Sequence, residues 1–196
     1  MKKNKLLNIA IAACKCIQIF YVLMFIALTA LFVHVQISPE SYKKNHFGQN
    51  ISSGINFGNS IHFGKYKSWK IDSKADDKEV FTLNKLKTSS LYFIYFKLSA
   101  ILIFIFLAIR EFQKIMQSAK NHKTFQENNI KSFRKIGKYI FIIFLLTSFE
   151  ILEFQQGGKS GIRIEFTSLI LMLISFIMAE IFKEGNLLQQ EKDLTI

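Results

Sequence analysis

Recognisable catalytic signatures are missing from this 196-residue chain. There is no H-E-x-x-H to hold a zinc ion, no G-x-S-x-G to present a serine, no phosphate-cradling P-loop, and no histidine usefully spaced from a carboxylate inside an apolar stretch. Neither an enzyme nor a cofactor is expected. Cysteine is scarce as well: Cys14 and Cys16 are the two, one residue apart at the start of an apolar stretch. That spacing suits neither a disulfide nor, without nearby histidines or carboxylates, a metal site, so both read as small apolar residues at a helix start. With a single proline, the long apolar runs also lack the Gly/Pro interruptions that mark many transporter substrate sites.

What the chain does have is apolar residues, 50% of the total, gathered into four blocks at Ile17 to Val35, Leu91 to Ile109, Tyr139 to Phe154 and Ile164 to Phe182. About 20 apolar residues rising about 1.5 Å each cover a hydrocarbon core about 30 Å thick. Each block is long enough to span, the third only if it runs into its polar flanks. The sequence thus predicts a mainly α, polytopic membrane protein with four transmembrane helices, at 17–35, 91–109, 139–154 and 164–182. The opening Met-Lys-Lys-Asn-Lys resembles a secretory signal, but the run from Ile17 to Val35 exceeds a typical signal core, and Lys15 and Gln18 interrupt its start. It reads as a retained anchor helix.

The net charge of +12 is spread over tails and loops, without the aromatic interleaving of a nucleic-acid-binding face, so direct nucleic-acid binding is not expected. The charge bears on topology instead. The tail 1–16 has lysines and no acid, and the loop 110–138 carries Arg110, Lys114, Lys120, Lys123, Lys131, Arg134, Lys135 and Lys138 against Glu111 and Glu127. The positive-inside rule puts both segments in the cytoplasm, and four crossings return the tail 183–196 to the same side of the membrane. The segment 36–90 has nine lysines and five acids, but long loops translocate largely regardless of charge.

That long segment is expected to form a small β-rich extracytoplasmic domain. Phe47-Gly48, Phe57-Gly58 and Phe63-Gly64 alternate with polar residues, and Trp69, Ile71, Val80, Phe81 and Leu83 suggest short strands between turns. His46 and His62 lack the companions a metal site needs. The segment 155–163, with Gly157, Gly158 and Gly161, reads as a tight turn between the third and fourth helices.

In the loop 110–138, Thr124 and Glu127 stand at the T-x-x-E spacing of a capping box, and Ile130, Phe133 and Ile136 follow at threefold spacing with Lys131, Arg134 and Lys135 between them. This predicts a basic amphipathic helix, whose apolar stripe suits either anionic lipid or a docked protein. Ionisable residues inside the apolar blocks are the other site candidates, because burying them costs free energy unless they are paired. Depths along the helices match Lys97 with Glu150 or Glu153, near Arg163 and Glu165, and Lys15 with Glu180 at the inner boundary. Such pairs could act as a latch sensitive to protons or ligands, or be static charges snorkelling to the interface.

Two stretches go further than hydropathy: Phe125-Gln-Glu-Asn-Asn129-Ile130-Lys-Ser-Phe133-Arg134-Lys-Ile136-Gly137, and the end of the chain from Ala179 through Ile181-Phe182-x-x-Gly185 to Glu191-x-Asp193-Leu194-Thr195-Ile196. They resemble the two signature blocks of a bacterial membrane family catalogued as domain of unknown function 2975, over the second half of the chain. The resemblance implies four membrane helices and a membrane partner for a small cytoplasmic helix-turn-helix transcription factor. On this reading Ile130, Phe133 and Arg134 of the loop helix, with Leu187, Leu188, Asp193, Leu194 and Ile196 of a tail extended beyond a helix stop at Gly185, form the docking surface. The tail could equally fold back on the loop helix. The expected function is a non-enzymatic sensor or regulatory partner in the membrane. The alternatives are a small transporter or channel component, working as a homo-oligomer, and a passive membrane assembly protein.

Overall fold

Long apolar segments free of internal proline have no reason to leave the helical conformation, since hydrocarbon offers their backbone no other hydrogen-bond partners. In the computed structural model, which describes residues 2–42, 60–68, 83–155 and 157–194, they form α1 (Lys2–Ile37), α2 (Thr88–Lys120) and α4 (Phe166–Leu194). A fourth helix, α3 (Glu127–Ser148), follows α2 after a short turn, and three strands, β1 (Ser60–Ser68), β2 (Phe149–Phe154) and β3 (Gly157–Glu165), complete the regular elements. Among the described residues, α1, α2 and α4 are the helices long and apolar enough to cross a membrane. Their Ile19, Phe20, Phe96, Ile170 and Ile177 are exposed, a surface that water would penalise and lipid tails accommodate. The chain is mainly helical and has the surface of a membrane protein.

Three of the four expected spans are thus helices long and apolar enough to cross a membrane, and the third is built differently. The third apolar block does not form one helix over 139–154: α3 takes its first half and ends at Ser148, and Phe149–Phe154 becomes β2. Two local features favour the change. Thr147 Oγ1 and Ser148 Oγ both donate to the Phe144 carbonyl, at 3.0 and 2.7 Å, occupying the helix's last acceptors with side chains. Beyond them the sequence alternates, with Leu152 and Phe154 buried and Phe149, Ile151 and Glu153 exposed. The charges Lys131, Arg134, Lys135 and Lys138 occupy the first half of α3, so the apolar part of this helix is its second half, which continues into β2.

The sheet is antiparallel, in the order β1-β3-β2. Phe63-Gly64 falls in β1, facing Ile162 and Gly161 of β3. The expected glycine turn 155–163 is therefore mostly strand. His46, Trp69, Ile71, Val80, Phe81 and the two earlier Phe-Gly pairs lie outside the described residues, and Leu83 opens a single 3-10 turn, Leu83–Lys85.

By packing, the chain divides into two compact units. The sheet unit comprises Met24–Ile101 and Phe144–Phe166. Its centre is Leu152 and Phe154, against Leu86 and Ile94. The Lys87 amide donates to the Glu153 carbonyl and the Gln155 amide to the Lys85 carbonyl, each at 2.9 Å, so part of the β2 edge is covered. Within this unit Phe32 stacks on Tyr95 at 4.2 Å, and Thr29 lies 3.2 Å from the Tyr95 hydroxyl.

The helical unit comprises Met1–Leu23, Leu102–Ile143 and Thr167–Ile196, so it holds both ends of the chain and the turn between α2 and α3. Its core is Ile115 of α2, Ile130, Phe133 and Ile136 of α3, and Ala179 of α4. Phe182 completes it, edge-on to Phe133 at 4.8 Å. The threefold stripe of α3 thus faces inward. Ile130 is 7% exposed and Phe133 9%, so neither can serve as the expected docking surface.

The chain's end departs from expectation too. Instead of stopping at Gly185, α4 continues to Leu194. A Cβ at Gly185 would overlap the Phe125 ring, and one at Gly137 would come within 2.9 Å of Phe176. Both glycines are there for close approach, not for a helix stop. The Thr124 capping box does not form either: α3 starts at Glu127, and the Asn129 amide donates to the Gln126 carbonyl at 2.9 Å.

Candidate functional sites

Two cavities gather most of the charged side chains that sequence reasoning could weigh. The first belongs to the sheet unit and has a volume of about 330 Å³. Lys97 enters it from α2, Glu150 from β2, and Arg163 and Glu165 from β3, against apolar walls that include Phe93, Ile94 and Leu98. The sheet explains which acid faces Lys97. Side chains alternate along a strand, so Glu150 shares a face with Leu152 and Phe154 while Glu153 points the other way. Glu150 pairs in register with Gly161, which puts Arg163 and Glu165 on the same face as Glu150.

Lys97 Nζ donates to the carbonyl of Phe149, the residue where helix gives way to strand. Glu153 instead meets Lys87, Oε2 to Nζ at 3.1 Å, and its amide receives the Ser90 hydroxyl oxygen as acceptor at 2.8 Å. Two cations and two anions line the cavity, so its formal charges balance. Thr147, the one hydroxyl lining it, is already bonded to a helix carbonyl.

The second expected pair, Lys15 with Glu180, is not formed. Because the α3 stripe points inward, Arg134 is carried to the side of α3 nearest α4, where its guanidinium donates to Glu180 at 2.8 Å. Lys183, one turn along α4, adds a contact with Glu180 at 3.1 Å. Lys15 is exposed on α1. The Arg134–Glu180 pair is about half-exposed, so it steers α3 against α4 more than it stabilises them. Arg134 is accordingly engaged within the chain.

The second cavity, in the helical unit at the α2–α3 turn, has a volume of about 470 Å³ and was not foreseen from the sequence. At its base is Glu111, 7% exposed, accepting from Lys114 Nζ and, at 2.8 Å, from Ser132 Oγ. Asn129, 3% exposed, pins the turn: its amide nitrogen donates to Ser118 Oγ at 2.9 Å and to the carbonyls of Lys123 and Thr124 at 3.0 and 2.6 Å. His122, with φ 58°, makes the reversal in the left-handed region. The signal for this site was the pairing of an acid with a serine and an asparagine inside an otherwise basic segment.

Beyond the turn, α4 exposes Leu187, Leu188 (66%) and Leu194 (87%). The Phe125 ring lies 5.5 Å from Phe182, so this part of α4 folds back on the α2–α3 turn. Asp193 lies within α4, and Ile196 is outside the described residues. Among the described residues, no three His, Cys, Asp or Glu side chains gather closely enough to hold a metal ion.

Membrane-length helices joined to a small antiparallel sheet, with charge gathered in two cavities, define a helical membrane protein. The chain belongs to the family described as a protein of unknown function (DUF2975), whose model matches residues 69–196, more than half of the sequence. The match takes in α2, α3, α4, β2 and β3, and leaves α1 and β1 outside. No curated protein and no solved structure matches the chain.

Proposed function

We propose that this is a non-enzymatic regulatory protein of the bacterial cytoplasmic membrane, with both ends inside, whose α4 docks a small cytoplasmic helix-turn-helix transcription factor. The observation that carries the reading is three exposed leucines, Leu187 and Leu194 on one face and Leu188 beside them, on a helical stretch that also bears Glu184, Gln189, Gln190, Glu191 and Lys192. An amphipathic helix of this kind fits a hydrophobic groove on a soluble partner. Docking through a helix replaces the extended tail expected from Gly185, and the loop helix contributes no apolar residues to it. Grouping of both chain ends with the basic α2–α3 turn in one unit supports a common side for them.

The test is cross-linking and affinity isolation of the full-length protein from its native membrane, beside a Leu188→Gln/Leu194→Gln variant. Recovery of a small DNA-binding protein with the wild type alone is the expected outcome. Equal recovery with both forms, or recovery of no such protein from either, overturns the reading.

A second reading, a small transporter or channel component working as a homo-oligomer, is favoured by the four charges in the Lys97 cavity. Under it, Lys97→Met alters solute flux and leaves partner recovery untouched.

A further inference from the structure

We propose that the polar cavity at the α2–α3 turn is a binding site for a phosphate-bearing anion. Its walls decide the class of ligand. Every side chain lining it is polar or charged, so an apolar ligand would strip water from amides and ammonium groups there. Four lysines face it, Lys114, Lys123, Lys131 and Lys135, against the single carboxylate of Glu111.

That carboxylate does not repel an incoming anion as a bare charge would. Both of its oxygens are occupied, one by Lys114 and the other by Ser132, and the helices bury it. Lys131 is matched by Glu127 at 2.8 Å on the solvent side. Two positive charges, on Lys123 and Lys135, remain in excess within the cavity. Asn121, Gln126 and Asn128 add amide donors beside them. Compact ammonium groups with neutral amides between them suit a phosphate and its neighbouring hydroxyls. Asn129 holds the turn shut through three acceptors, so the lysines are presented by a fixed backbone rather than by a loop that must first be ordered.

The volume, about 470 Å³, accommodates more than a bare phosphate, as the glycerol part of a glycerol phosphate requires. The same chemistry is carried by the headgroup of an anionic phospholipid and by a free phosphate ester. The cavity lies where α2, a helix of membrane-crossing length, reaches its polar end, a depth at which headgroups are within reach.

Full-length protein in detergent, titrated with phosphatidylglycerol, phosphatidylcholine or glycerol phosphate and followed by native mass spectrometry, tests this. The variant is Lys123→Gln/Lys135→Gln. Its control is Lys120→Gln/Lys138→Gln, which removes the same charge outside the cavity. Saturable binding of phosphatidylglycerol or of glycerol phosphate is expected, weakened about tenfold or more in the cavity variant and about twofold or less in the control. Binding of the lipid alone identifies a headgroup as the source, and binding of glycerol phosphate identifies a soluble ester. The proposal is overturned if neither binds, if phosphatidylcholine binds equally well, or if the two variants weaken binding to the same degree.

Discussion

The two units handle charge in opposite ways. In the sheet unit, Lys97 and Arg163 share a cavity with Glu150 and Glu165, and apolar side chains wall it. In the helical unit, four lysines share a cavity with one acid, and no wall is apolar. The difference follows from solvation. Where the surroundings cannot solvate a charge, charges persist only in matched sets, and where amides, hydroxyls and water can, an excess of one sign is tolerated. The first set is neutral by itself, and the second is not.

The sharpest test of this contrast concerns the α3 stripe that keeps the lysines of the helical unit outward. Phe133→Ala should destabilise the protein by about 3–5 kcal/mol, as removal of a core aromatic does. Thermal unfolding in detergent reads it, and a change too small to measure would return the stripe to the surface.

Next in size is Lys97→Met, which leaves Glu150 and Glu165 facing Arg163 alone. A loss of about 1–3 kcal/mol is expected, largely restored by adding Glu150→Gln, because the double variant is balanced again. Strict additivity of the two substitutions would show that the groups do not sense one another.

The smallest effect belongs to the fully exposed rim. The Lys131 ammonium beside Glu127 donates to its carboxylate and holds it below its ordinary value. The folded value being the lower, the pair's contribution is present above the unfolded carboxylate range and disappears as pH falls through the folded value. A carboxyl NMR titration should show Glu127 moving up in Lys131→Gln, and moving up in high salt as well. An unchanged titration would mean that the pair does not form.

How far the sequence could be read depends on whether a feature is local. The apolar runs of α1, α2 and α4 need no partner to be recognised, since length and hydropathy alone suffice. The threefold spacing of Ile130, Phe133 and Ile136 was equally visible, but spacing tells which residues share a face and not what covers it. Phe149–Phe154 was misread for a related reason. Six mostly apolar residues after a helix fit a further turn and a half of helix as well as a strand, and what decides is pairing with β3.

Gly185 carried a true signal that was misassigned. A glycine near the end of an apolar helix suggests a stop, whereas here it makes room for a ring 60 residues earlier in sequence. Lys97 was singled out for its charge within an apolar block, but which acid faces it could not be settled while Glu150 and Glu153 were thought to lie on one helix, where both could turn toward it. The cavity of Glu111 and Asn129 escaped notice because its parts come from two helices and the turn between them.

The two glycine contacts of the helical unit have a mechanical consequence. Phe176 of α4 seats over Gly137 of α3, while Phe125, just ahead of α3, seats over Gly185 of α4. Each partner supplies one peg and one socket, like a pair of dowels set in opposite directions. Sliding α4 by one turn, about 5.4 Å, would drive both pegs against residues that carry side chains. The pair therefore indexes α4, in rotation and in height, and with it the azimuth at which Leu187 and Leu188 are presented.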